Sequence, residues 1–402
     1  MNYFEFIEKY KNADPNSLRL ASKKKCYDFD VESAITQIEC RKKNHAKLRE
    51  FISHPSFIFP DTLSAEQASH QAVALYHASL ATASDSVLDM TAGLGIDSLS
   101  FALKNLNVTS IEINPLKAEV LKKNASILNL KTIDVINADS IQFLQASKTH
   151  FDIIFVDPSR RQANNQRVYN LHDCSPDILL NQKYLFEKSD RILIKASPLL
   201  DLTQTLKDFS FIRSIRAIGV KGECKEMLIE IIPYQNTDKI IIEAVNLDND
   251  GETISLFQDY ISRGSESQFP DSNEISFASM IDISGDKYIL EPSAMMMKIS
   301  PWKSICNRYK AKKCGKSANL FLSSELPQDF PGRVTKIQRI LKKTDRKTLQ
   351  GIPAAVISKN YPMSAEEIRK SLKLKEGTDN FIYGSRIDEK PVLILSESIS
   401  HG

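Results

Sequence analysis

The chain has 402 residues, of which 26% are charged and 42% hydrophobic, the composition of a soluble globular protein with room for two or three cores. No apolar stretch approaches the roughly 20 residues that span a bilayer, and the opening MNYFEFIEKYKNADP lacks a basic n-region followed by an apolar h-region. The six cysteines form no CxxC pair and no zinc spacing with His, so a cytoplasmic protein with buried thiols, Cys306 and Cys314 included, and no metal is expected. Net charge is only +3 but unevenly spread: residues 301–350 carry 13 Lys or Arg against 3 Asp or Glu, residues 238–286 carry 11 acidic against 2 basic. A second basic cluster comprises Lys23, Lys24, Lys25, Arg41, Lys42, Lys43, Lys47 and Arg49. Basic patches in a near-neutral chain point to phosphate-bearing partners, or to solvated helix faces.

In chain order, residues 1–65 read as helical, with an amphipathic run from Val31 to Phe51 and a Pro-bounded break from His54 to Pro60. Ser64 to Ala83 reads as one helix, with Ser64 as N-cap and Gln67 three residues on. Strands then alternate with helices: Ser86–Asp89, Val108–Ile113, Ile133–Asn137, Phe151–Val156, Arg191–Ile194, and a closing pair at Ile212–Gly219 and Glu226–Ile232. That alternation predicts a mostly parallel sheet covered on both faces. After Pro233 the pattern changes, with a β-branched run at Lys239–Leu247 followed by an acidic, Ser- and Pro-containing linker. Two small α+β units are expected beyond it, the second with strands at Ala354–Ser358, Asn380–Gly384 and Val392–Ser396. The boundaries read are 1–63, 64–235, 236–287, 288–330 and 331–402.

The densest signal is VLDMTAGLGIDSL, Val87 to Leu99, followed by IEIN, Ile111 to Asn114. An apolar strand ends in Asp89, and the chain turns through Thr91, Gly93 and Gly95 into a helical segment. The next strand carries Glu112, about twenty residues past the first glycine. Glycines let backbone approach a nucleotide-type ligand, and an acid at the second strand's tip takes ribose hydroxyls. The third glycine of the dinucleotide fingerprint is replaced by Ser98, which argues against a dehydrogenase. This stretch resembles motif I of the class I S-adenosylmethionine (SAM) methyltransferases. The resemblance implies an α/β, Rossmann-like, doubly wound sheet. It assigns SAM binding to Asp89, Thr91, Gly93, Gly95, Glu112, Asn114 and, in NADS after the third strand, Asp139. IIFVDPSRR then puts Asp157 and Pro158 at the reaction centre, with Lys195 and Glu226 as further candidates.

DPSRR, RVYNLHDCSPDI, KASPLLDL and KGECKE resemble a bacterial methyltransferase family with a ferredoxin-like insert and a THUMP-like C-terminal domain. YILEPSAMMMK (Tyr288–Lys298) and FPGR (Phe330–Arg333) resemble its insert, and Ile357–Ser385 its THUMP-like part. One departure matters: amino-group methylases of nucleic acids commonly carry an aromatic residue after Asp-Pro-Pro, where this chain has Ser159 and Arg160. With Arg161 these offer phosphate or carboxylate contacts, or salt bridges to Asp173 or Asp177. Cys174 and Cys224 would suit the thiolate of a pyrimidine C5 methylase, or are buried thiols. The resemblance implies SAM-dependent methylation of RNA, with the basic C-terminal part binding the nucleic acid. Two other readings stay open: a protein or small-molecule methyltransferase, and a non-catalytic RNA-binding protein with a relic SAM fold.

Overall fold

A computed structural model describes residues 1–23, 26–160, 171–262, 275–280 and 287–399, with the side chains of Arg160 and Lys343 outside that description. The chain forms two compact units, one of Met1–Ile241 with Val245–Ile254, the other of Ile242–Ala244 with Ser255–Gly402. Residues 263–274 and 281–286 of the expected linker lie outside the described residues.

The N-terminal region is helical: α1 (Tyr3–Tyr10), α2 (Pro15–Ser22), α3 (Val31–Lys43), α4 (Arg49–Ser53), α5 (Thr62–Gln67) and α6 (Gln71–Ser79). Asn2, Asp14 and Asp30 cap the first three through side-chain oxygens that accept amides of the first turn. The expected helix from Ser64 to Ala83 is two helices. Asp61, not Ser64, is the N-cap, accepting the Ser64 amide at 2.6 Å and its hydroxyl at 2.8 Å. Ala68 turns to an extended ψ of 150°, ending α5 at Gln67. The chain restarts only at Gln71, capped by the His70 ring, whose Nδ1 accepts the Ala72 amide.

The strands that follow are β1 (Ser86–Asp89), β2 (Asn107–Glu112), β3 (Ile133–Asn137), β4 (Phe151–Val156), β5 (Ser159–Arg160), β6 (Cys174–Ser175), β7 (Ser189–Ala196), β8 (Ile212–Val220), β9 (Glu223–Ile231), β10 (Lys239–Leu247) and β11 (Thr253–Ser262). Helices α7 (Ile96–Leu103), α8 (Pro115–Ile127), α9 (Ser140–Ala146), α10 (Gln182–Glu187) and α11 (Leu202–Asp208) connect them. Nine strands run in the order β11-β10-β8-β9-β7-β4-β1-β2-β3. β3, β2, β1, β4 and β7 are parallel, and β9 runs antiparallel to both β7 and β8. The order reverses at β1 and β4, so the crevice beyond their C-terminal ends is where an open α/β sheet takes a ligand.

The parallel strands are apolar along their length because both faces are covered. One core joins Val87, Phe101, Val108, Ile153, Phe155 and Leu193 to Ala72, Val73 and Ala78 of α6. The other joins Leu94, Leu99, Leu121 and Val135 to Phe51, Phe57 and Phe59 of the N-terminal region, which is therefore part of the first unit's core. At the antiparallel side Glu230, buried on β9, is bonded by Arg191 at 2.8 Å, by Arg216 at 2.9 Å and by the Ser214 hydroxyl at 2.8 Å. Three side chains from neighbouring strands satisfy one buried carboxylate and fix the register of the closing pair.

In the second unit a seven-stranded sheet runs β13-β14-β12-β15-β18-β17-β16. Its strands are β12 (Tyr288–Pro292), β13 (Ala311–Gly315), β14 (Ala318–Ser323), β15 (Gly332–Ile340), β16 (Ala355–Ser358), β17 (Asn380–Ile387) and β18 (Lys390–Ser398). β12 pairs antiparallel with β15, Ile289 opposite Thr335, so residues 288–330 and 331–398 contribute to a single sheet. Helix 365–372, capped by a Ser364–Glu367 capping box, packs Ile368 and Leu372 against Ile382 and Leu395.

Candidate active site

β1 ends in Asp89, and the turn after it is built on glycines in the left-handed region, Gly93 at φ +57° and Gly95 at φ +88°. A side chain at Gly95 would come within 2.1 Å of buried Leu121, besides straining the backbone. At Gly93 a Cβ would meet nothing closer than the Thr91 carbonyl at 4.0 Å, so the turn is open on that side. Glu112, at the tip of β2 and only 8% exposed, accepts the Gly93 amide at 2.8 Å through one oxygen and the Asn114 amide at 2.8 Å through the other. It thus ties the glycine turn to the end of the neighbouring strand. An open glycine turn bordered by an acid at the next strand's tip fits the nucleoside and amino-acid parts of SAM.

The Asp89 carboxylate accepts the Ser98 hydroxyl at 2.5 Å and the Thr91 amide at 3.0 Å. Burial, with Asp97 and Asp157 nearby, outweighs those bonds and pushes its carboxyl up to about 7. Asn114 and Asp139 sit at the two next strand ends as helix caps. Asn114 accepts the Leu116 and Lys117 amides of α8, and Asp139 the Gln142 amide of α9.

Asp157 follows β4, and its amide donates to Thr91 Oγ1 at 2.7 Å, which locks the DPS segment to the glycine turn. Its carboxylate, 38% exposed, receives Lys195 Nζ from β7 at 2.5 Å. Lys195 is 13% exposed. Its ammonium also donates to Ser69 Oγ at 2.9 Å. Ser69 lies in the α5–α6 break, and its hydroxyl donates to Asp97 Oδ2. Asp97 Oδ1 meets His77 Nδ1 at 2.8 Å, and His77 Nε2 meets Glu226 Oε1 at 2.7 Å. His77 is fully buried, packed on Phe155 at 5.2 Å between ring centroids. Burial works against its charge, but Glu226 and Asp97 overcome that and hold the imidazolium up to about 9. Burial likewise opposes the Lys195 charge, and Asp157, Asp97 and Glu226 more than offset it, raising the ammonium above its ordinary value.

Asp157, Lys195 and Glu226 thus fall on one bonded chain, with Glu226 reaching it only through His77, Asp97 and Ser69. Sequence reading missed those three. Their signal was a charged or polar residue on an apolar face: His77 in QAVALYHAS, Asp97 in IDSLSFAL. Pro158 is buried, and Ser159 is exposed on the short β5, where it faces Ser175 across the β5–β6 pair. Arg161 lies outside the described residues, so its expected contacts with Asp173 or Asp177 do too, as do those of the Arg160 side chain. Asp177 accepts the Leu180 amide at 2.9 Å. Cys174 is 7% exposed, and Cys224 donates weakly to the Glu226 carbonyl at 3.8 Å.

Of the N-terminal basic cluster, Arg41 donates to the carbonyls of Ile52, His54, Pro55 and Phe57, and Lys43 pairs with Glu39 and Glu66. Arg49 pairs with Asp250. Lys47 bonds the Ala65 and Glu66 carbonyls at the end of α5, and burial with Lys195 and Lys225 nearby pushes it down to about 8. Arg41 and Lys47 of this cluster thus spend their donors on backbone carbonyls of the fold.

Residues 19–167 match the family described as "Putative SAM-dependent methyltransferase", 288–331 a ferredoxin-like domain family, and 332–398 a THUMP-like domain family. The chain is 38% identical over 77 residues to an uncharacterized RNA methyltransferase of Mycoplasma mobile, covering 19% of this chain and 21% of that one. It is 30% identical over 128 residues to ribosomal RNA small subunit methyltransferase J of Francisella philomiragia, covering 27% of this chain and 53% of that one. The matched segments thus span about half or less of these relatives. A crystal structure named "putative methyltransferase from Porphyromonas gingivalis W83" superposes with a TM-score of 0.84 at 27% identity, covering 99% of this chain and 98% of that one. The three domain families thus match in the order expected, and the likeness to that methyltransferase structure runs along the whole chain.

Proposed function

We propose that this protein methylates RNA, with SAM held at the glycine turn and the acceptor presented at Asp157. One observation carries the reading. The Asp157 amide is bonded to Thr91, so an exposed carboxylate stands directly beside the open glycine turn. Gly93 and Gly95 would leave backbone room for the cofactor, Glu112 would face its ribose, and Asp89 its methionine end. Asp139, half-exposed after β3, has one carboxylate oxygen beyond its cap bond and would face the adenine edge. When bound, SAM supplies a methyl already activated on sulfonium, so the protein's task is mainly alignment.

Asp157 would position the acceptor atom and accept its proton, with Lys195 holding that carboxylate in place. RNA is favoured as acceptor by the THUMP-like family match and by relatives named for RNA methylation. A cytoplasmic location goes with it. Lys336, Arg339, Lys342, Arg346 and Lys347 are exposed within the second unit and would contact phosphates. Lys313, within the basic stretch 301–350, is 2% exposed, with its ammonium on the Gly315 and Lys316 carbonyls, and contributes no such contact. Mass spectrometry of nucleosides from total RNA, with and without the gene, tests the proposal. One methylated nucleoside should fall in the deletion and return with wild type but not Asp157→Asn. An unchanged nucleoside profile would move the acceptor to protein or a small molecule.

A further inference from the structure

The bonded chain that begins at Asp157 runs inward through six segments of the fold. It links the end of β4 (Asp157), β7 (Lys195), the α5–α6 break (Ser69), α7 (Asp97), α6 (His77) and β9 (Glu226). Both His77 nitrogens face carboxylates, and an ionised carboxylate can only accept, so the geometry calls for a proton on each nitrogen. Charges then alternate along the chain: Glu226 negative, His77 positive, Asp97 negative, Lys195 positive, Asp157 negative. Three carboxylates and two cations leave one net negative charge. Asp157 has the most exposed side chain of the five, at 38% against 0–13% for the other four.

A buried ion pair on its own contributes little to stability, because desolvation offsets the attraction. A fully bonded string of them does fix geometry, since each group can neither rotate nor lose its partner without exposing an unpaired charge in the core. Asp89, a titratable group near Asp97 and Asp157, is bonded to Ser98 and Thr91 and is no part of the string.

We propose that His77, Asp97 and Ser69 are positioning residues for the acceptor side, holding Lys195 and through it Asp157 in one orientation at the mouth of the crevice. This rests on the reading of Asp157 as the group that faces the acceptor. It gives the α5–α6 break a purpose, because a continuous helix through 64–83 would not bring the Ser69 hydroxyl between Lys195 and Asp97. The N-terminal helical region thereby supplies part of the site rather than only a cover for the sheet.

The informative variant is Ser69→Ala, which removes one hydroxyl and no charge. The probe is bulk RNA from cells lacking the gene, with labelled SAM, wild type and Asp157→Asn run alongside. Ser69→Ala should lower kcat about 10–100-fold through misalignment, with KM for RNA and calorimetric SAM affinity within about twofold of wild type and thermal stability little changed. Nitrogen-15 NMR supplies a readout independent of turnover. One histidine should remain doubly protonated at pH 8, and its signals should vanish in His77→Gln. Wild-type kcat in Ser69→Ala, or a neutral His77 at pH 8, overturns the proposal. If Asp157→Asn is inactive while Ser69→Ala is fully active, this inference alone fails. If Asp157→Asn is fully active, the placement of the acceptor fails and the inference with it.

Discussion

At the residue scale the site rests on two carboxylates and a histidine in three environments. Glu112 spends both oxygens on backbone amides, so its removal loosens the glycine turn as well as deleting a ribose ligand. Glu112→Ala should weaken SAM binding by about 2–4 kcal/mol in calorimetry. Equal affinity would remove the ribose assignment. Asp89 is the pH-sensitive member. Its carboxyl titrates near 4 when exposed and at about 7 in the fold, so the folded state holds the proton more tightly across that window. Stability therefore falls as pH rises from about 4 to 7, and a cationic ligand beside Asp89 favours the ionised form. SAM affinity should rise about tenfold from pH 6 to 8 in wild type and stay flat in Asp89→Asn, by calorimetry at both values. His77 has the same sign over a higher window. Held by Glu226 and Asp97 up to about 9 against an ordinary 6.5, its contribution is full below 6.5 and lost as pH climbs through 9. Denaturant midpoints measured between pH 7 and 10 should fall in wild type and fall less in His77→Gln.

At the scale of elements, what could be read from sequence and what could not separate along physical lines. The βαβ core was legible because its strands are short apolar runs and its turn carries the glycines that backbone geometry demands: Ser86–Asp89 and Ile133–Asn137 have the expected ends. Asp89, Gly93, Gly95 and Glu112 could be placed for the same reason. The α5–α6 break could not. Residues 64–79 contain no Gly or Pro, and local propensity favours one helix. Long-range bonds impose the interruption, with the Gln71 amide on the Lys47 carbonyl at 3.0 Å and the Glu50 amide on Gln71 Oε1 at 2.9 Å. Since Ser69 sits in that break, the inner half of the site was hidden with it. β15 was hidden for another reason: its Arg333, Lys336 and Arg339 read as part of the basic stretch 301–350, and the strand pattern is diluted by exposed polar positions. The cap of α5 follows from the corrected boundary. Asp61→Ala should cost about 1 kcal/mol in chemical denaturation, whereas Ser64→Ala should cost less.

At the scale of the whole molecule, a SAM-type unit is followed by a unit that matches a THUMP-like family and exposes Lys342, Arg346 and Lys347. If Lys342, Arg346 and Lys347 each neutralise a phosphate, replacing all three by Gln should reduce the slope of log affinity against log salt by about two units and leave SAM affinity unchanged. Filter binding across a salt series measures it, and an unaltered slope would remove these residues from the RNA face. The most direct test of the central claim is methyl transfer by the purified protein. Labelled SAM is incubated with RNA from cells lacking the gene, and the acid-insoluble label is challenged with ribonuclease or protease. The account predicts label that enters the RNA, is released by ribonuclease but not by protease, and is absent with Asp157→Asn. Label that is protease-sensitive, or that persists with Asp157→Asn, would contradict it.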